Sequence, residues 1–189
     1  MNLTIVRHGQ TIENEKGIMQ GQNDGVLSSL GIKQSNQVAR DLAAESFKII
    51  FSSDLGRCTD TATRIRRYHP KTPFVLSPEL REINYGSYQG GPVKSLDLSI
   101  LPGTQLTKKA PGGESWMDLA NRLEVFLNET YVAHKNDSVL LVTHGGPIQV
   151  IRAYLEPASL RQLASEPSIP NCAIRRLVMV SPVSSANLA

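Results

Sequence analysis

The sequence predicts an α/β layered fold with a mostly parallel sheet. Short β-prone runs recur at wide intervals, amphipathic helical patterns lie between them, and the chain is long enough to bury a core between the two. Its 189 residues are 40% hydrophobic and 20% charged, ordinary globular proportions that favour one domain. The strands are read at 3–6, 48–51, 74–76 and 139–142, each a short apolar, β-prone segment.

The helices follow from the pattern between those runs. The first, over 30–44, carries Ile32, Val38 and Leu42 as expected core contacts, and the next follows Leu55 with Ala62 and Ile65 on its inner face. The clearest begins at Ser115, where Ser115 and Asp118 make a capping-box-like start. Trp116, Leu119, Ala120, Leu123, Phe126, Leu127 and Tyr131 then recur on one face, which must pack on a sheet. A last helix is expected to open at Pro147, whose fixed φ suits a first helical position, and to carry Ile148, Ile151 and Leu155. The stretch 90–113 has no convincing period and holds Pro92, Pro102, Pro111 and five glycines, so it reads as a surface excursion. The organisation expected is one domain over 1–181 with a short excursion at 91–113, then a small polar tail at 182–189 that frays.

Composition excludes several classes. The longest apolar stretches, 139–142 and 177–180, are too short to cross a bilayer, and the N-terminus runs into a strand rather than a charged-then-apolar leader. A soluble cytoplasmic protein without membrane association is expected. The two cysteines, Cys58 and Cys172, make neither a disulfide framework nor a zinc spacing and read as packing residues. A formal charge of +3, with Arg64, Arg66 and Arg67 as the densest basic cluster, does not suggest nucleic-acid binding. Assembly as a homodimer is left open.

The chemistry concentrates at strand ends. Arg7-His8-Gly9 closes the first strand, where open α/β sheets place their ligands, and a cation, an imidazole and a glycine there suggest an anion site. A second strand ends in Thr143-His144-Gly145-Gly146 at the mouth of a helix, whose N-terminus attracts anions. Two strands that each deliver a histidine to one sheet edge can put both on one phosphate. A third ends at Ser52-Ser53-Asp54 and is followed by Arg57 in a first helical turn. The dipole does not favour a cation there, so an anion partner is more plausible than a bare surface arginine.

With these residues in view the chain resembles the histidine phosphatase superfamily, in the branch that includes cofactor-dependent phosphoglycerate mutase. The motifs occur in order: Arg7-His8-Gly9-Gln10-Thr11 with Asn14; Gln20-Gly21, Asp24, Leu27-Ser28 and Gly31; Ser52-Ser53-Asp54-Leu55-Gly56-Arg57 with Thr61-Ala62; Leu80-Arg81-Glu82 with Gly86 and Gly90; Pro111-Gly112-Gly113-Glu114-Ser115; and Val142-Thr143-His144-Gly145-Gly146. The match spans roughly 1–155 and is weakest over 91–110.

The resemblance implies a three-layer α/β/α fold and a metal-independent phosphohydrolase without cofactor, acting on a small phosphorylated molecule. It implies that a neutral His8 attacks phosphorus, that Arg7 and Arg57 bind the phosphoryl oxygens, and that His144 donates to them as charge develops. Glu82 then serves as general acid and base. Asn14, Gln20, Gly21 and Gly145 match positions that touch the phosphoryl group or substrate. Glu114 and Ser115 are explained by a helix start alone.

Mutases of the family carry a longer insertion after the glutamate, with arginines for the substrate carboxylate. Here 91–110 is short, holds no arginine and offers only Lys94, Lys108 and Lys109, so water is the expected phosphoryl acceptor. Gln10, Cys58, Tyr88 and Gln89 depart from common family residues without removing a catalytic group. Two other classes fit the sequence less well. A zinc site of His8, His144 and Glu82 is disfavoured by the adjoining arginines. A non-catalytic phosphoryl-binding role is disfavoured by the retention of His8 and Glu82.

Overall fold

In a computed structural model, residues 1–97 and 99–188 are described. Five strands, β1 (Asn2–Arg7), β2 (Ile49–Ser52), β3 (Phe74–Leu76), β4 (Ser138–Thr143) and β5 (Ile174–Val178), form one sheet in the order β3-β2-β4-β1-β5. All neighbours are parallel except β5, which runs antiparallel to β1 at the edge.

Side-chain alternation splits the sheet into two buried faces. Leu3, Ile5, Val139 and Leu141 join α4 (Trp116–His134), α5 (Gly145–Leu155) and α6 (Leu160–Ser165) in one core. Val6, Ile50, Leu140 and Val142 pack on α2 (Ser29–Asp41) and α3 (Gly56–Arg66) on the other. The architecture is therefore the three-layer α/β/α arrangement. The remaining helix, α1 (Ile12–Glu15), is one turn capped by a reciprocal Thr11–Asn14 box.

Local chemistry accounts for most boundaries. Ser115 accepts from the Asp118 N–H while Asp118 accepts from the Ser115 N–H, the reciprocal box that starts α4. Helix α5 starts at Gly145, two residues before the expected Pro147, which therefore occupies the third helical position. That position also has no intrahelical acceptor for its N–H, so proline costs nothing there. Ile32, expected in the core, is 39% exposed. The buried side of α2 is made instead by Gly31, Ser35, Val38 and Ala39, continued by Leu42.

The excursion carries an isolated bridge of Pro92 to Ile18, a 3₁₀ turn at Val93–Ser95 and irregular turns among the described residues. The segment read as a fraying tail lies along α4: Asn128 exchanges two hydrogen bonds with the Val183 backbone, Glu124 accepts the Ser185 N–H, and Leu188 is buried.

Candidate active site

The sheet register brings the chemistry together. Arg7 pairs with Thr143 and Ser52 with Val142, and beyond those pairs the His8 N–H donates to the Thr143 carbonyl at 3.0 Å and the Ser53 N–H to the Val142 carbonyl at 2.9 Å. His8, Ser53 and His144 therefore leave the sheet side by side, and the His8 and His144 rings meet edge to face with centroids 5.1 Å apart. Segment 80–82 is tied to the same edge because the Thr143 hydroxyl donates to the Leu80 carbonyl at 2.6 Å.

His8 is 3% exposed, and its Nδ1 lies 2.7 Å from the Gly9 carbonyl. A carbonyl only accepts, so Nδ1 carries the hydrogen and Nε2 keeps its lone pair. Burial, reinforced by Arg57 and Arg7, holds this imidazole well below the usual histidine range, which keeps it neutral.

Arg57 is 1% exposed, far from the surface arginine its position would suggest. Its Nη1 donates to the Asn23 carbonyl at 2.8 Å, Nη2 to the Gly21 carbonyl at 2.6 Å and Nε to His144 Nδ1 at 3.2 Å. Gly21 turns with φ of +54° to present that carbonyl. Arg7 Nη1 donates to the Ile169 carbonyl, while Arg7 Nε is a buried donor with no partner among the described residues. An orphaned guanidinium donor beside a neutral imidazole suits an incoming anion.

His144 differs from the expectation of a donor facing the phosphate. Arginine cannot accept, so His144 Nδ1 is the acceptor of the Arg57 bond, and Nε2 lies 2.9 Å from Ser53 Oγ and 3.3 Å from Cys58 Sγ. Burial and the neighbouring Arg57 push it well below the usual histidine range. In this state the ring braces Arg57 from behind. Cys58, fully buried with its thiol pushed up by desolvation, is packing rather than a nucleophile.

Glu82 is not the surface partner of Arg81. Arg81 instead grips Asp54, with Nε 2.7 Å from Oδ1, and holds that carboxyl below the usual carboxylate range. The Glu82 carboxylate turns inward and accepts the Ile83 N–H at 2.9 Å and the Gly146 N–H at 3.1 Å. The mouth of α5 thus holds this carboxylate.

Arg7, His8, Asn14, Gln20, Gly21, Arg57 and Glu82 line one cavity of about 260 Å³. His144 lies behind it, and the open side of Gly145 is covered by Ser168, whose Oγ would sit 2.2 Å from an added Cβ. Gln20 is buried with an unpartnered Oε1, and Asn14 is occupied in the cap of α1. Among the described residues no group of three or more His, Cys, Asp or Glu is arranged to hold a metal ion.

The loop after α6 was not legible as part of the site. Ser168 lines the cavity, the Ile169 carbonyl holds Arg7, and Asn171 Nδ2 donates to the His8 carbonyl at 3.0 Å. Arg122 was also missed: its Nε donates to Glu114 at 2.8 Å and its Nη2 to the Glu82 carbonyl at 3.0 Å, fixing the backbone that carries the carboxylate. An arginine eight residues beyond Glu114 on a helix offered no motif, only a charge-pair spacing too long for one turn.

A family model described as "Histidine phosphatase superfamily (branch 1)" matches residues 3–181. The "Probable phosphoglycerate mutase GpmB" of Proteus mirabilis (strain HI4320) is 33% identical over 152 residues, 77% of this chain and 70% of that protein. The "Metal-independent phosphoserine phosphatase" of Arabidopsis thaliana is 34% identical over 165 residues, 83% of this chain and 69% of that protein. Among solved structures, a mycobacterial glucosyl-3-phosphoglycerate phosphatase complexed with VO3 aligns at a TM-score of 0.82 and 30% identity over 93% of this chain and 90% of that one.

Proposed function

The chain belongs to the histidine phosphatase superfamily, branch 1, and from that premise we propose that it hydrolyses a small phosphomonoester through a phosphohistidine on His8, without a metal. The observation that carries this reading is the state of His8. It is a neutral imidazole whose Nδ1–H is given to the Gly9 carbonyl, so its Nε2 lone pair is free beside a cavity lined by Arg7, Arg57 and Glu82.

In the first half-reaction Nε2 attacks phosphorus as the ester P–O bond breaks, and a protonated Glu82 gives its proton to the leaving oxygen. The Arg7 and Arg57 guanidinia take up the charge on the remaining oxygens in a site where water cannot screen it. His144 acts from behind, its Nδ1 accepting from Arg57 Nε and so keeping that guanidinium in place against the phosphoryl oxygens. In the second half-reaction Glu82 takes a proton from water, the water oxygen bonds to phosphorus, and the N–P bond breaks. Inorganic phosphate leaves with His8 neutral and Glu82 protonated again.

Asn14, Gln20 and Gly21 are assigned to substrate contact as walls of the same cavity. Gly145 is assigned to admitting Ser168 beside Glu82, since an added Cβ there would lie 2.2 Å from Ser168 Oγ and 3.8 Å from Glu82 Oε2. Residues 1–181 make the catalytic domain in this reading. A cytoplasmic setting is favoured by two cysteines that stay free, and no helix of the described residues is long and apolar enough to cross a membrane.

Hydrolysis is favoured over mutase chemistry by the cations of the excursion. Lys108 Nζ donates to the Ser99 carbonyl at 2.9 Å and Lys109 pairs with Asp118 at 3.0 Å. Arg122 is spent on Glu114 and the Glu82 backbone. None is a free guanidinium placed to hold a substrate carboxylate.

A panel of phosphomonoesters assayed with wild type and His8→Ala, with trapping of acid-labile, base-stable phosphate on the protein, tests the reading. Loss of turnover and of the trapped phosphate is expected in His8→Ala; near-wild-type turnover in that variant would overturn the mechanism. Assay with 2- and 3-phosphoglycerate is expected to release inorganic phosphate, and interconversion of the two without release would restore the mutase reading.

A further inference from the structure

A second cavity, of about 510 Å³, opens beside the first, and Tyr85 and Leu96 line both. It lies on the side from which the leaving oxygen must depart, because Ile83 and Tyr85, the residues following Glu82 in the chain, form part of its wall. An alcohol whose oxygen receives the Glu82 proton has its carbon skeleton in this space. The assignment rests on the phosphohydrolase reading above and names the substrate class of that same site.

The lining decides the chemistry of the alcohol. Tyr85, Leu96 and Trp116 supply aromatic and aliphatic walls, and Ala110 and Ala164 leave room between them. Glu114 reaches the cavity, but its carboxylate already accepts from Arg122 Nε at 2.8 Å, Arg122 Nη2 at 3.1 Å and the Asn84 N–H at 2.8 Å. It has nothing left to give a substrate ammonium. Lys108 spends one of its three N–H donors on the Ser99 carbonyl in an exposed contact, so a substrate carboxylate could pair with it only where solvent screens the attraction. A charged leaving group gains at most that screened pair, whereas a ring gains both burial and stacking on Trp116 and Tyr85.

We propose that this cavity binds the leaving alcohol and that the substrates are phosphomonoesters of ring-bearing, uncharged alcohols rather than of small hydroxy acids or hydroxy amino acids. The volume lies within the range of sites for small organic molecules, about 300–1,000 Å³.

The test compares 2-phenylethyl phosphate with ethyl phosphate, two esters of alcohols with similar acidity, so leaving-group reactivity does not separate them. Burying one phenyl group predicts a kcat/KM larger by about 30-fold for the phenylethyl ester, with 3-phosphoglycerate and O-phosphoserine below it. Trp116→Ala should bring that ratio towards one. Ala164→Leu, which fills the cavity from a different element and leaves the α4 start intact, should also lower it, so the inference does not depend on one variant folding. Circular dichroism and thermal melts check both variants.

Equal kcat/KM for the esters of these two uncharged alcohols would overturn the pocket assignment while leaving the phosphohistidine mechanism standing. So would a ratio unchanged in both variants, or a preference for O-phosphoserine or 3-phosphoglycerate. Hydrolysis of all four esters that persists in His8→Ala would overturn the catalytic reading instead. Release of phosphate from none of them would overturn both.

Discussion

Replacing Gly146 by alanine isolates what the Glu82 carboxylate does. A Cβ built on Gly146 would lie 2.4 Å from Glu82 Oε1 and 3.3 Å from Leu119 Cδ2. The leucine can give by a few tenths of an ångström. The carboxylate has to move by about 1 Å to reach ordinary van der Waals distance, and it cannot do so while keeping the 3.1 Å bond from the Gly146 N–H. Displacement of a catalytic group by about 1 Å costs on the order of 10²-fold in rate, within the 10²–10⁴-fold that general acid–base catalysis supplies. The fold should survive, since alanine is favoured over glycine within helices by up to about 1 kcal/mol.

The assay separates the two half-reactions. With an alkyl phosphate, whose alkoxide must be protonated to leave, Gly146→Ala should lower kcat by about 10²-fold with no burst. With p-nitrophenyl phosphate the leaving group needs no proton, so the first turnover stays fast. The phosphoenzyme then waits for a water that Glu82 can no longer deprotonate well. A pre-steady-state burst of nitrophenolate, absent or smaller in wild type, is expected, together with more trapped phosphohistidine. Alkyl and nitrophenyl esters slowed equally, with no burst, would show that the carboxylate handles no proton in either step, and the role given to Glu82 would be wrong.

Other consequences follow from the same geometry. Arg57→Lys replaces three donor nitrogens by one, which cannot reach the buried Gly21 carbonyl, His144 Nδ1 and the more exposed Asn23 carbonyl together. At about 1–3 kcal/mol for an orphaned buried group, a loss of roughly 1–3 kcal/mol in denaturant melts is expected, with a large rise in KM; an unchanged stability would contradict the bonding described. His8 and His144 are held neutral by burial in the folded state and charge freely when unfolded. The unfolded chain therefore binds more protons below its histidine pKa of about 6.5, and stability falls with pH there by up to about 1.4 kcal/mol per pH unit for each. Melts of wild type and His8→Ala between pH 7 and 5 should diverge by about that slope; parallel curves would mean that His8 is not held neutral. Gly31→Ala puts a Cβ 1.9 Å from the Gln10 carbonyl oxygen, a backbone atom that cannot swing away. Its Tm should fall by several degrees, corresponding to at least about 2 kcal/mol, and an unchanged Tm would refute the close packing of α2 on the loop after β1.

Four strands and the long helices were legible because their burial follows a period. The alternation that puts Leu140 and Val142 on one face and Val139 and Leu141 on the other is also what marks a strand buried on both sides. β5 was not legible, because its arginines interrupt the apolar run and an edge strand needs only one covered side. Ile32 was misplaced for a related reason. The buried face of α2 begins with Gly31 and Ser35, small residues in contact with the loop that carries Gly9 and Gln10, so hydrophobicity alone gave the wrong phase. The residues proposed for catalysis were more legible. His8, Arg57 and His144 each sit in a short motif at a strand end or helix start, and Glu82 in one just after a 3₁₀ turn. The bracing role of His144 depended on an Arg57 contact between residues 87 positions apart, which no local pattern encodes.

The two ends of the site obey different constraints. The phosphoryl end is built from backbone-defined positions: an N–H of α5, the carbonyls of Gly9, Gly21 and Asn23, and side chains that leave adjacent strands in register. Substitution there meets backbone, as the Cβ contacts at Gly9 and Gly31 illustrate, so the chemistry can change little without losing the fold. The leaving-group end is walled by side chains from the excursion, the start of α4 and α6. Side-chain walls of that kind can be exchanged one at a time. Relatives of similar identity to this chain accordingly bear names as different as a phosphoglycerate mutase, a phosphoserine phosphatase and a glucosyl-3-phosphoglycerate phosphatase. If substrate choice resides in that wall, exchanging Trp116 and Ala164 should redirect specificity while the fraction of enzyme trapped as phosphohistidine under saturating substrate stays the same. A parallel loss of phosphoenzyme would show instead that the two ends are one constraint.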